Sequence, residues 1–149
     1  MNIFITEKPF DPWQELQDHQ KTSPIYASGA VGATSIFIGT MRDFNDGDDV
    51  KSMTLEYYPG MTEKQLGKII DAVKRQWKIL DTLIVHRVGE IFPQQPIVLV
   101  AVWATHRGDA YDANRQIMEA LKSTATFWKK EKLSSAEERW VLKNTDGYQ

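Results

Sequence analysis

Ile97 to Ala104 is an unbroken run of eight apolar residues, Ile-Val-Leu-Val-Ala-Val-Trp-Ala. A run this short and this rich in β-branched residues predicts a strand buried on both faces. It falls far below the roughly 20 residues of a membrane-spanning helix. The opening Met-Asn-Ile-Phe-Ile-Thr-Glu-Lys-Pro lacks the basic and then long apolar pattern of a secretory signal. Both features lead to the expectation of a cytoplasmic protein with no membrane association.

Other apolar segments surround that strand. Ile3 to Thr6 predicts a short edge strand, and Ala33 to Met41, Val50 to Tyr58 and Leu83 to Val88 predict three more. The polar stretch Asp43 to Asp49, with Gly47 inside it, predicts a hairpin loop joining the second and third of these. Leu66, Ile69, Ile70, Val73 and Trp77 fall on one face of a helix predicted over 62–78. Ala110, Ala113, Ile117 and Leu121 do the same for a helix over 109–123. Asp11 suits a helix N-cap, with Pro12 and Gln14 following, and that helix ends near Lys21 ahead of Pro24. Phe127 to Glu131 reads as a short second helical piece, and Trp140 to Leu142 as a last strand. Pro93 and Pro96 lie between Leu83–Val88 and Ile97–Ala104 and forbid continuous ladder pairing in the stretch that joins them. The mixture favours the α+β class, in one domain spanning 1–149.

Charge and composition narrow the function. Eighteen Lys and Arg face twenty Asp and Glu, a formal charge of −2. A dedicated nucleic-acid binder carries a basic excess, so that class is set aside. There is no cysteine, which removes disulfides, thiolate metal sites and cysteine nucleophiles. The three histidines, His19, His86 and His106, have no helical i, i+4 spacing, and His86 and His106 each precede an Arg. No metal site and no resident cofactor are expected. Asp43-Phe44-Asn45-Asp46-Gly47 lacks the ligand order of a calcium loop, and no phosphate-binding glycine loop occurs.

What remains is a set of cations at element ends. Arg42 closes a strand, His106-Arg107 joins a strand to a helix, Lys122 ends that helix and Lys129 follows seven residues later. On a continuous helix seven residues turn about 700°, so the two lysines share a face about 10.5 Å apart along the axis. A bend at Ser123 to Thr126, poor helix-interior residues, brings them closer. Such a group suits a phosphorylated substrate, and a desolvated Lys beside another cation loses its proton readily. Each cation alone has an ordinary explanation, in the helix dipole or a salt bridge. Phe37, Trp103 and Phe127 likewise read first as core, with a groove leading to Lys122 or a dimer seam as the alternative. Composition and spacing reach an α+β domain with an anion pocket. They leave open a non-catalytic phosphate- or nucleotide-binding homodimer and a Schiff-base enzyme using Lys122.

The motifs in order go further. Gly39-Thr40-Met41-Arg42, Leu55-Glu56-Tyr57-Tyr58-Pro59-Gly60-Met61, His86-Arg87-Val88-Gly89, Thr105-His106-Arg107, Leu121-Lys122, Phe127-Trp128-Lys129-Lys130-Glu131 and Arg139-Trp140-Val141 occur in sequence. This set resembles the large, catalytic subunit of molybdopterin synthase, from about Gly29 to Leu142. The resemblance implies an α/β-hammerhead fold with an additional antiparallel β subdomain. It implies a homodimer within a heterotetramer, each end carrying a small ubiquitin-like sulfur-carrier subunit with a C-terminal thiocarboxylate. The implied reaction moves sulfur from that thiocarboxylate to cyclic pyranopterin monophosphate, forming the molybdopterin dithiolene of the molybdenum cofactor. It implies Lys122 and Lys129 as catalytic residues. Thr40, Met41, Arg42, His106, Arg107, Lys130 and Glu131 then join both lysines as substrate-binding positions. The family commonly has Lys at the position of Thr40 and Pro at that of Thr126.

Overall fold

The computed structural model describes residues 2–141. The apolar run that dominates the sequence becomes β7 (Pro96–Ala104), one of the two inner strands of a four-stranded sheet. β5 (Ile79–Arg87) and β2 (Ala33–Thr40) flank it, both antiparallel, and β1 (Asn2–Thr6) lies parallel to β5 at the far edge. Side chains alternate across a strand, so an unbroken apolar run needs a cover on each side. Val98, Val100 and Val102 meet α3 (Met61–Gln76) and α4 (Arg107–Thr124) through Leu66, Ile70, Val73, Ile117 and Leu121. Leu99, Ala101 and Trp103 meet Leu16 of α1 (Pro12–Thr22) on the other side. Full burial of each large side chain contributes about 1.5–3 kcal/mol.

The helix ends follow the sequence signals. Asp11 Oδ1 accepts from the backbone N–H groups of Trp13 at 3.0 Å and Gln14 at 3.4 Å, capping α1. Ser23 then caps a single extra turn, α2 (Pro24–Ala27), absent from the sequence-based assignment. Glu63 reaches back to the Gly60 N–H at the start of α3. In α4 the helix begins at Arg107 and includes Ser123 and Thr124. Their hydroxyls donate back to the carbonyls of Glu119 and Ala120.

A second sheet is built on β4 (Asp48–Tyr57), which pairs with β3 (Phe44–Asn45), β6 (Gly89–Ile91) and β8 (Phe127–Leu133). β9 (Glu138–Val141) adds to β8. All of these pairs are antiparallel, and together they form the additional β subdomain on an α+β frame. Two expectations are corrected here. Segments 33–41 and 50–58 do not form a hairpin, because β2 pairs with β7 and leaves the first sheet at a register shift between Gly39 and Thr40. The hairpin is the smaller β3–β4 unit, turning at Asp46 and Gly47, whose φ values are 50° and 79°. Residues 127–131 are strand, not helix, held by a ladder to β4 from Phe127↔Tyr57 to Leu133↔Val50. The predicted last strand is found as β9, and its Leu142 lies outside the described residues. Among the described residues no cluster of His, Asp and Glu has the makings of a metal site, and no helix is long and apolar enough to cross a membrane.

Candidate active site

A cavity of about 460 Å³ opens where the end of β2, the β3–β4 hairpin, α4 and β8 meet. This is the size of a small-molecule site. After the β2 register shift, Met41 is buried and tied by its backbone to Gln94 and Gln95, with hydrogen bonds of 2.8 and 3.0 Å. That anchor delivers Arg42 to the rim, where its guanidinium carbon lies 5.0 Å from the centre of the Phe44 ring. Lys122 projects into the cavity from the last turn of α4, and Lys129 from β8 opposite Leu55. Thr40 and Met41 line it as well.

The two lysine side chains hydrogen-bond to each other. Burial, then the Lys129 charge and hydrogen bond, and then the Arg42 charge push Lys122 down from 10.5 to about 8. Burial also lowers Lys129, but the hydrogen bond with Lys122 and the Glu131 charge pull it back up. An ammonium donates and only a neutral amine accepts. Of the pair, Lys122 is the one that gives up its proton more readily, becoming the amine as pH rises through about 8. Beneath them His86 is fully buried and stacks on Phe127, with ring centres 3.9 Å apart. Its Nδ1 donates to the Arg87 carbonyl at 2.7 Å. Burial, opposed by that hydrogen bond and reinforced by the two lysine charges, lowers His86 to about 4 and keeps it neutral.

The remaining expected residues divide. Glu131 lines the cavity, but its buried carboxylate accepts from Asn45 Nδ2 at 3.0 Å and Arg139 Nε at 3.1 Å. Arg139 also reaches Asp48 at 2.8 Å and the Asn45 carbonyl at 2.9 Å. Glu131 thus braces the β3–β4 hairpin against β8. Lys130 does not line the cavity; it pairs with Glu138 at 2.9 Å and lies 5.7 Å from the centre of Trp140. His106 and Arg107 are exposed at the first turn of α4, about 22–24 Å from Lys122 along the helix axis. Within one chain they do not reach this cavity.

Phe37 takes its alternative place, and some other cavity residues were not anticipated. Phe37, 40% exposed, lines the pocket instead of the core, while Trp103 is 1% exposed and Phe127 packs inward as expected. Phe44 and Asn45 belong to a stretch read as a polar loop; an aromatic two residues after Arg42 is the signal that marks them. Met118 and Glu119 reach the cavity from α4, one turn before Lys122.

The arrangement joins a cationic rim for an anion with an amine that is partly neutral near physiological pH. Residues 5–124 match the family described as MoaE protein. A molybdopterin synthase catalytic subunit from Ralstonia nicotianae is 53% identical over 139 residues, covering 93% of this chain and 76% of that protein. The solved molybdopterin biosynthesis MoaE protein from Burkholderia ambifaria is 42% identical with a TM-score of 0.77, covering 98% of this chain and 92% of that one. A complex of subunits 1 and 2 of molybdopterin-converting factor from Helicobacter pylori shares the fold at 16% identity, with a TM-score of 0.77 over 96% of this chain and 92% of that one. The chain belongs to the MoaE family, that of the molybdopterin synthase catalytic subunits.

Proposed function

We propose that the Lys122–Lys129 pocket inserts sulfur into cyclic pyranopterin monophosphate, taking it from the C-terminal thiocarboxylate of a small carrier subunit. The observation that carries this reading is the contact between two lysines inside a cavity rimmed by Arg42. Arg42 and Lys129 hold negative charge on the substrate and on the transition state. Lys122 moves protons while the thiocarboxylate sulfur bonds to a substrate carbon in place of that carbon's oxygen substituent, and water then cleaves the carrier's carbonyl carbon–sulfur bond, leaving the sulfur on the pterin side chain and a carboxylate on the carrier. A Cys-free chain suits this chemistry, since the sulfur arrives on the partner. Thr40 and Met41 shape the wall on which the pterin rests. The test is reconstitution with a thiocarboxylated carrier and the cyclic pterin. Dithiolene product is expected, and its absence with a competent carrier refutes the reading.

The exposed cations at the far end of α4 fit the same reaction if two copies share their sites. β2 is an edge strand, with Ile36 and Phe37 42% and 40% exposed and no Lys or Pro to block pairing. Its first residue pairs with Ala104, beside His106 and Arg107, and its last lies beside Arg42. The strand spans about 23 Å, close to the offset between Arg107 and Lys122. Antiparallel pairing of two β2 edges about a two-fold axis sets the start of one beside the end of the other. In that homodimer His106 and Arg107 of the partner subunit face Arg42 and complete the anion site.

A further inference from the structure

We propose that Thr62 and Gln65 of α3 are positioning residues for the lysine pair: they clamp the Thr126 turn between α4 and β8 and so set how closely Lys122 and Lys129 approach. This inference rests on the pocket being the catalytic one.

Only Ala125 and Thr126 separate the end of α4 from the start of β8. Lys122 lies two residues before that junction, and Lys129 is the third residue of β8. The path of the chain at 125–126 therefore decides whether the two amines meet. Phe127 N–H donates to the Ala125 carbonyl at 3.0 Å, a one-residue turn centred on Thr126. Thr126 is not among the residues with positive φ, which makes this the inverse γ form. One such hydrogen bond is a weak constraint by itself.

α3 supplies the rest. Gln65 Oε1 accepts both the Thr126 N–H at 3.0 Å and the Thr126 hydroxyl at 2.9 Å. Thr62 is wholly buried, and its Oγ1 accepts the Tyr58 N–H at 3.1 Å. It lies 2.9 Å from Thr126 Oγ1 and 3.1 Å from the Thr126 carbonyl oxygen. The Thr126 hydroxyl gives its hydrogen to Gln65, so the Thr62 hydroxyl gives its own to an oxygen of Thr126. Each hydrogen in the chain from Tyr58 to Gln65 then has an acceptor. Neither Thr62 nor Gln65 lines the cavity, so their effect on the lysines passes through the turn.

The consequence is electrostatic. Lys122 faces Lys129 from β8 and Arg42 from the segment after β2. Glu131 acts on Lys129, Glu119 lines the same cavity from α4, and neutral His86 lies below. Part of what eases proton loss from Lys122 is the Lys129 charge beside it, and that effect decays as the two separate.

The test uses Gln65→Ala in the full chain. The Lys122 Nζ titration is followed by NMR, and kcat and carrier KM are measured in the reconstituted reaction. The titration is expected to move upward by about one pH unit. kcat at pH 7 falls about tenfold and recovers at higher pH, while KM stays within about twofold. The double variant Gln65→Ala/Thr126→Pro restores both to within about twofold of the parent. The proline ring holds φ near the value an inverse γ-turn needs, and Ala125, with ψ 142°, already has the conformation that precedes proline. An unmoved Lys122 titration in Gln65→Ala overturns the proposal, even if melting temperature and kcat fall together. So does a folded double variant whose titration stays displaced. A parent chain that makes no product, with the titration moving as expected, counts against the sulfur-transfer reading and leaves the clamp standing.

Discussion

A lysine in the last turn of a helix normally gains from the dipole as an ammonium, yet Lys122 is driven toward the neutral amine by burial and by Lys129. Its value falls from 10.5 in the unfolded chain to about 8 in the fold. Between those two pH values the unfolded chain binds a proton that the folded chain does not. Stability is therefore lost as pH falls from about 10.5 to about 8, and the full penalty stands at pH 7. Lys122→Met keeps the stem and removes the charge. It should raise stability at pH 7 by about 1–2 kcal/mol, discounted for solvent in the open pocket, while abolishing turnover and leaving carrier binding intact. Thermal melts at pH 7 and above 10.5 check the sign, because the gain should vanish at the higher pH; a variant less stable than the parent at pH 7 contradicts this account. In the proposed mechanism Lys129 serves as a charge, because its hydrogen bond with Lys122 and the Glu131 carboxylate oppose the lowering by burial. Lys129→Arg should retain at least about tenfold more turnover than Lys129→Ala, since Arg preserves charge and cannot lose it. Equal losses in the two variants would mean that Lys129 must also release its proton.

The elements show why some of this was readable beforehand and some was not. β7, α3 and α4 announce themselves through local periodicity, since their burial follows from neighbours three or four residues away. β8 does not: Phe-Trp-Lys-Lys-Glu-Lys-Leu has no β-branched residue, and its strand state comes from pairing with β4, 70 or more residues earlier. That period-two conformation turns Lys129 and Glu131 inward together and Lys130 outward, which a helical reading cannot do. The β2–β4 hairpin was misread for a related reason. Adjacency in sequence suggests pairing, whereas β2 finds its partner in β7. Arg42, Lys122 and Lys129 were legible as cations at element ends, but their convergence depends on both sheets. The start of β2 offers a test at this scale. A Cβ on Gly32 would collide with the Thr105 carbonyl oxygen, a backbone atom with little room to yield. Gly32 N–H also bonds to the Ala104 carbonyl at 3.0 Å. Gly32→Ala should cost about 1–3 kcal/mol, read as a lower melting temperature. A melt unchanged within error would mean that β2 does not approach the β7–α4 turn so closely.

At the scale of the whole molecule, the separation of His106 and Arg107 from Lys122 is the fact that most needs a partner. If each site draws its amine from one copy and its far cations from the other, two kinds of damaged chain repair each other. Take one copy carrying Lys122→Ala and a second carrying Arg107→Ala. In their mixed dimer, one pocket inherits both lesions and is dead. The other has an intact Lys122 from its own chain and an intact Arg107 from the neighbour, so it is whole. Random mixing of the two inactive proteins makes about half of the dimers mixed, each with one working site, and should recover about a quarter of the parental turnover. Pockets complete within single chains give no recovery at any mixing ratio. Replacing Ile36 with Lys in both chains adds like charges along the proposed edge. It should shift the protein toward monomer in sedimentation and suppress the recovery. Recovery that survived in a monomeric Ile36→Lys preparation would rule out the β2 edge as the place where the copies meet.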